Sequence, residues 1–363
     1  MRKPCARRHF LAATAQGGAL MAIAPRVLAQ PGAGLIHRTP KPEDFKIPAG
    51  AVMPKRTLGH TGVQVSLLGL GGYHIGQAKN EETAVRIIHT AVDHGVTFLD
   101  NCWDYNGGKS HLWMGKALAD GYRKKVFLMT KIDGRTRKAA ADQIDQSLQQ
   151  LKTDMIDLIQ IHEVIRPTDP GRVFAADGAI EALVAARKAG KLRFIGFTGH
   201  KSPDIHLSML EAARTSKFQY DTVQMPINVM DAHFKSFGEK VIPVAKKDGL
   251  GILGMKPFGS GVFFKSDALG KGEISTLDCL QYPMSLPTSV VITGCENEGV
   301  LMQAIYAAMT FDAHKFAARR EKLLAATTPF AGKGEWEKYK TSDQFDGTSS
   351  HPWWLDTASV EKG

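Results

Sequence analysis

Val126-Phe127-Leu128-Met129-Thr130-Lys131, a helical stretch, and then Ile156-Asp157-Leu158-Ile159-Gln160-Ile161-His162 form the segment on which the fold turns. The two flanking runs are short, apolar and strand-like, and between them Ile144, Leu148 and Leu151 recur at helical spacing. Working outward, the same strand-and-helix unit repeats eight times from Leu67 onward. Strands are expected at 67–70, 97–100, 126–130, 156–161, 193–197, 221–225, 251–255 and 289–292. Apolar stripes mark the intervening helices, for example Ala84, Ile88, Ala91 and Val92, or Val300, Ala304, Ile305 and Ala308. Strands that alternate with helices and read as continuous apolar runs predict a parallel sheet buried on both faces. Eight such units predict a closed (β/α)8 TIM barrel of the α/β class, with ligands bound where the strands end. The rival, a doubly wound open sheet, would carry a glycine fingerprint opening the first helix, and Gly69-Leu70-Gly71-Gly72 does not have that form.

Around the barrel unit, 55–326, stand three other segments. Within its opening portion, Gly59-His60-Thr61-Gly62 lies between short strand-like runs and predicts an N-terminal β-hairpin. Residues 30–54, rich in Pro, Gly and charge, read as a linker or arm. A last helix is expected at about 312–326. The tail, 327–363, forms an irregular C-terminal extension whose Trp336, Trp353 and Trp354 would pack onto the barrel or close over a site. Residues 1–29 read as a signal peptide: basic at Arg2, Lys3, Arg7 and Arg8, then small and apolar, then Val27-Leu28-Ala29 ahead of Gln30. Arg7-Arg8-His9-Phe10-Leu11 resembles the twin-arginine export motif, which implies the twin-arginine export machinery as a partner and the periplasm or the exterior as destination. Gln16, Gly17 and Gly18 interrupt the apolar stretch, so no stable membrane span is expected after cleavage.

The 363-residue chain carries a formal net charge of +10. Its first 29 residues hold Arg2, Lys3, Arg7, Arg8 and Arg26 and no acid, so about half of that charge leaves with them. What remains is spread thinly, with no basic stripe to support nucleic-acid binding. Cys102, Cys279 and Cys295 would survive cleavage, an odd number without metal-type spacing. No metal is expected, because His162 stands alone at the end of an expected strand without an Asp/His pair at ligand spacing.

Four polar residues follow the ends of apolar runs: Asp100, Tyr105, Lys131 and His162. An acid, a phenol, an amine and an imidazole gathered at one end of a barrel would form a proton-transfer site. At these residues the chain resembles the aldo-keto reductases. The hairpin and first strand (Arg56 to Gly71), Phe98-Leu99-Asp100 with Tyr105, Met114-Gly115-Lys116-Ala117-Leu118, Met129-Thr130-Lys131 and Ile159-Gln160-Ile161-His162 match that family in order, from about residue 55 to 310. The resemblance implies an oxidoreductase that interconverts carbonyl compounds and alcohols with NADP(H) or NAD(H), taking a small-molecule carbonyl or alcohol as substrate. A phenol near its ordinary pKa of about 10 is a slow acid at neutral pH. Lys131 would therefore lower the Tyr105 pKa, Asp100 would hold Lys131, and His162 would hydrogen-bond the substrate oxygen.

On the cofactor side the resemblance assigns Thr198, His200 and Gln224 to the nicotinamide amide, although Gly199 stands where the family has an asparagine. Met255 would pack on the ring. Lys256, Phe258, Gly259 and Ser260 belong to a Met-Lys-Pro-Phe-Gly segment that resembles one branch of the superfamily and suits a pyrophosphate. Gly294 and Gln303 fall in the part that grips the adenosine. There Glu296 and Glu298 replace the expected bases, which leaves the preference between the two cofactors open. Tyr73, His74, Trp103, Glu163 and Phe258 are candidates for the mouth. The alternative is a barrel that retains or binds the cofactor in a regulatory role with little turnover.

Overall fold

The computed structural model describes residues 39–265, 274–330 and 332–360. The proposed signal peptide and the first part of the arm lie outside these residues. A two-stranded antiparallel hairpin, β1 (Lys55–Thr57) and β2 (Gln64–Ser66), precedes eight parallel strands. These are β3 (Leu68–Gly71), β4 (Phe98–Asp100), β5 (Phe127–Ile132), β6 (Ile156–Ile161), β7 (Leu192–Thr198), β8 (Thr222–Pro226), β9 (Gly251–Met255) and β10 (Val290–Gly294). Each pairs with its neighbour in chain order, and β10 closes on β3. The expected (β/α)8 barrel is therefore the observed one. Two strands match the expectation to the residue, and the others differ by one or two positions at an end.

Side chains along a strand alternate between faces, so one parity lines the barrel interior and the other meets the helices. Phe98, Phe127, Met129, Leu158, Leu253, Val290 and Ile292 share one buried cluster, capped from below by Leu58 and Val65 of the hairpin. Continuing that parity toward the carboxyl ends reaches Asp100, Lys131, Gln160 and His162, Thr198, Gln224, Met255 and Gly294. The interior is thus apolar at the hairpin end and polar at the other. Outside, helices such as Glu81–Asp93 and Arg137–Leu151 bury Ile87, Ile88 and Ile144 against the strands. Asn80 and Thr136 cap these two helices, accepting from the backbone N–H groups of Thr83 and Ala139.

One glycine lets the hairpin approach the barrel floor closely. Gly59 has φ +52°, and a Cβ on it would lie 2.2 Å from the Gly251 nitrogen at the start of β9. The last helix, Ala313–Thr327, leads into a tail of short helical turns. Among the described residues no helix is long and apolar enough to cross a membrane. Gly59→Ala combines left-handed strain with a backbone clash, so it should destabilise the fold by about 2 kcal/mol or more. Urea unfolding measures this, and an unchanged midpoint would count against the hairpin as the barrel floor.

Candidate active site

Lys131 is the centre of the polar end. Its ammonium is 1% exposed and makes three donor contacts: to Asp100 Oδ1, to the Asn101 carbonyl at 2.7 Å and to the Tyr105 hydroxyl at 3.3 Å. Strand parity places Asp100 and Lys131 in the interior of adjacent strands, and the loop after β4 folds back to bring Tyr105 over them. The Tyr105 ring stands edge-on to Tyr73 (5.4 Å between centroids) and to His162 (5.9 Å). All four expected acid–base residues therefore meet. The expected lowering of the Tyr105 pKa is not found. Burial pushes the phenol well above its ordinary value, and the Asp100 carboxylate adds to that rise.

His162 is surrounded on its Nδ1 side by groups that spacing along the chain did not reveal. Cys102 Sγ lies 3.3 Å from Nδ1 and 3.6 Å from the Lys131 carbonyl. Asp133 Oδ1 lies 3.1 Å from Nδ1 and Asp104 Oδ1 4.0 Å. Burial alone would push the imidazole pKa down, but Asp133 and the other acids hold it above the usual value. Burial and Asp133 together push the Asp104 carboxyl up to about 6. Trp103 Nε1 donates to Asp133 Oδ2 at 2.7 Å. Arg135, fully buried, donates to the carbonyls of Asp133, His162 and Glu163 and braces both loops against Asp169. The available signal for Asp133 was parity: it lies two residues beyond Lys131.

The residues expected to hold a cofactor divide into two groups. Thr198 Oγ1 and Gln224 Oε1 are buried and accept or donate no hydrogen bond, while Gln224 Nε2 faces Asp100 at 3.3 Å and Met255 Sδ at 3.5 Å. Met255 is half-buried beside them. Lys256 (φ +57°) donates to Ser260 Oγ at 3.2 Å, and Gly259, Ser260 and Gly261 follow with φ of +57°, +59° and +80°. The Gly259 and Gly261 N–H groups donate to the Lys256 and Phe258 carbonyls, so these residues form a tight turn that sets the Lys256 ammonium beside Ser260. Burial pushes the Lys256 ammonium down to about 8 against the opposing pull of Glu163. Gly294 is bare where a Cβ would strike His74 Nδ1 at 1.8 Å.

The other three are engaged within the protein. His200 Nε2 shares a 2.8 Å hydrogen bond with Asp346 of the tail. Phe258 packs on the hydrophobic core, and Gln303 donates to Thr276 at 2.7 Å. Glu298 pairs with Arg86 from the first barrel helix, so a base does reach the end of β10, from a part of the chain far away in sequence.

The tail crosses the mouth. Glu163 accepts from the Gly347 and Thr348 backbone N–H groups and from the Thr348 hydroxyl. Tyr339 and Phe345 set their rings 5.5 Å from Lys256 Nζ, and Trp354 packs edge-on against Trp103. The tryptophan therefore both packs the tail and sits next to the site.

These features agree with what the chain is similar to. The profile of the aldo/keto reductase family matches residues 67–277. The uncharacterized oxidoreductase YrpG of Bacillus subtilis (strain 168) is 28% identical over 225 residues, 56% of this chain and 66% of that protein. The aldo-keto reductase YhdN of the same organism is 28% identical over 216 residues, 55% of this chain and 61% of that one. The chain thus spans somewhat less than two thirds of the length of these relatives. In fold it is similar to the aldo-keto reductase AKR11C1 from Bacillus halodurans in its holo form, with a TM-score of 0.64 and 23% identity over 75% of this chain and 96% of that one. With more than half of its length matched by the family profile, the chain belongs to the aldo/keto reductase family.

Proposed function

We propose that the protein is an exported oxidoreductase that interconverts small carbonyl compounds and alcohols with NADP(H) or NAD(H), Tyr105 serving as general acid and base. The observation that carries this reading is the direction of one hydrogen bond. Lys131 Nζ donates to the Tyr105 oxygen, so the phenol keeps its own proton for a substrate. Reduction of a carbonyl leaves an alkoxide that must be protonated as it forms, and a phenol so placed meets that need. His162 turns Nδ1 toward the acids, which leaves Nε2 for the carbonyl oxygen. Asp100 orients Lys131 and balances its charge. Export rests on Arg7-Arg8-His9-Phe10-Leu11, through which the twin-arginine machinery would be engaged.

A nicotinamide cofactor bound at the mouth would supply the hydride. The residues present fit it: the partnerless Thr198 Oγ1 and Gln224 Oε1 suit an amide group, Met255 offers an apolar surface, and the Lys256 ammonium beside Ser260 suits a pyrophosphate. These contacts touch parts common to NADP(H) and NAD(H).

Tyr105→Phe should lower kcat for carbonyl reduction by about 10²–10⁴-fold while cofactor binding, followed by fluorescence, stays unchanged. A wild-type rate in that variant would sink the proposal. The Lys256 charge gives a second expectation. Below pH 8 the ammonium is protonated and attracts the anionic cofactor; as pH rises through about 8 it loses its charge. Cofactor affinity should accordingly fall between pH 7 and pH 9, and Lys256→Gln should flatten that dependence. An identical pH profile in the variant would remove Lys256 from the binding site.

A further inference from the structure

We propose that Cys102, Asp104, Asp133 and His162 form a closed site for a divalent transition metal of the zinc class, held on the Nδ1 side of His162 directly behind the reacting face. One donor atom from each of the four lies within 4.8 Å of the others. A four-coordinate ion with bonds of about 2.0–2.3 Å requires ligand-to-ligand edges of roughly 3.3–3.7 Å. The separations about Nδ1 bracket that range: 3.1 Å to Asp133 Oδ1, 3.3 Å to Cys102 Sγ and 4.0 Å to Asp104 Oδ1.

The second observation is independent of spacing. Asp133 is 0% exposed, and its Oδ1, aimed into the cluster, meets only the His162 ring at 3.1 Å without the alignment of a hydrogen bond; Asp104 Oδ1 is likewise without one. Buried carboxylate oxygens are rarely left so, and a cation would satisfy both at once. The outer groups are those a metal site needs. Trp103 Nε1 fixes the other oxygen of Asp133, Arg135 holds the backbone on either side, and the tail's Trp354 covers Trp103. A set of one sulfur, one nitrogen and two oxygens favours zinc-like ions over magnesium or calcium. With four protein donors and no open position, the ion would orient ligands rather than act on substrate.

The consequence concerns a tautomer, and here the inference rests on the proposed reductase reading. In a neutral imidazole a proton on Nδ1 would leave Nε2 as an acceptor, unable to donate to a carbonyl oxygen. A metal on Nδ1 puts the proton on Nε2 and makes that nitrogen a permanent donor.

The test uses the full chain, stripped with a chelator and titrated with Co²⁺. The expected result is one equivalent bound, with a near-ultraviolet sulfur-to-cobalt charge-transfer band and the intense visible bands of four-coordinate cobalt, both displaced by Zn²⁺. Cys102→Ser should abolish the charge-transfer band, and Asp133→Asn should weaken cobalt binding at least tenfold, with circular dichroism confirming that each variant is folded. No charge-transfer band in the wild type, or one that survives in Cys102→Ser and so belongs to Cys5, Cys279 or Cys295, would overturn the proposal, and the wild-type titration decides even if a variant does not fold. Because the readout uses no substrate, its failure is distinct from failure of the reductase reading. Carbonyl reduction by metal-free protein with no cobalt bound would discard the metal alone, whereas cobalt binding without reduction would discard the reductase and keep the site.

Discussion

A lysine ammonium with almost no access to water must place all three of its N–H donors within the protein, and Lys131 does so on Asp100, the Asn101 carbonyl and Tyr105. An uncompensated charge in that position would cost several kcal/mol. The requirement governs the surrounding backbone. Asp100 has to be the last interior residue of β4, Asn101 has to present its carbonyl back to β5, and the next loop has to fold over to deliver Tyr105. Asn101 helps by turning its side chain outward, donating to the Ser110 carbonyl and accepting from the Cys102 N–H. Acid–base geometry and barrel closure are in this sense one arrangement.

The same device recurs at the rim. Lys340 of the tail is buried, donating to Asp231, Glu337 and the Phe234 carbonyl, which pins the tail to the loop after β8. Tyr339 beside it donates to Glu337 and accepts from Asn228. Gln143 donates to the carbonyls of Trp354 and Thr357 on the far side. Lys340 with Asp231, Tyr339 with Asn228 and Gln143 with the tail are polar groups matched across long separations in sequence, in a buried setting where each needs its partner. They fix the tail as one wall of the mouth.

What the sequence showed and what it hid follow from range. Strand–helix repetition is local, and the eight strands were legible from it, Ile156–Ile161 and Gly251–Met255 to the residue. Asp100, Lys131 and His162 were legible because each ends a strand and interior parity is fixed by the apolar residues before it. Tyr105 was reached through resemblance, since its loop has no period. The rise in its pKa was not legible, because burial and the charge on Asp100 belong to the assembled site. Asp133, Asp104 and Cys102 carried no ligand spacing, as they come from two different loops that converge on a third. Arg86 beside Glu298 and Asp346 beside His200 lay far away in sequence from their partners.

That last pair joins two features that lie apart along the chain, the Thr198-Gly199-His200 segment and the tail. Any side chain at position 199 would put its Cβ 2.2 Å from the Val164 carbonyl, so an asparagine there is sterically excluded. The glycine lets the loops after β6 and β7 approach closely. His200 is then directed to Asp346, which also holds Lys201, while Glu163 in the neighbouring loop receives the backbone of Gly347 and Thr348. The glycine at position 199 and the docking of the tail on these loops thus belong to one arrangement. The loops after β6 and β7 are the anchorage of the C-terminal strap, and Thr198 Oγ1 and Gln224 Oε1, at the interior ends of β7 and β8, keep their hydrogen-bonding capacity unspent.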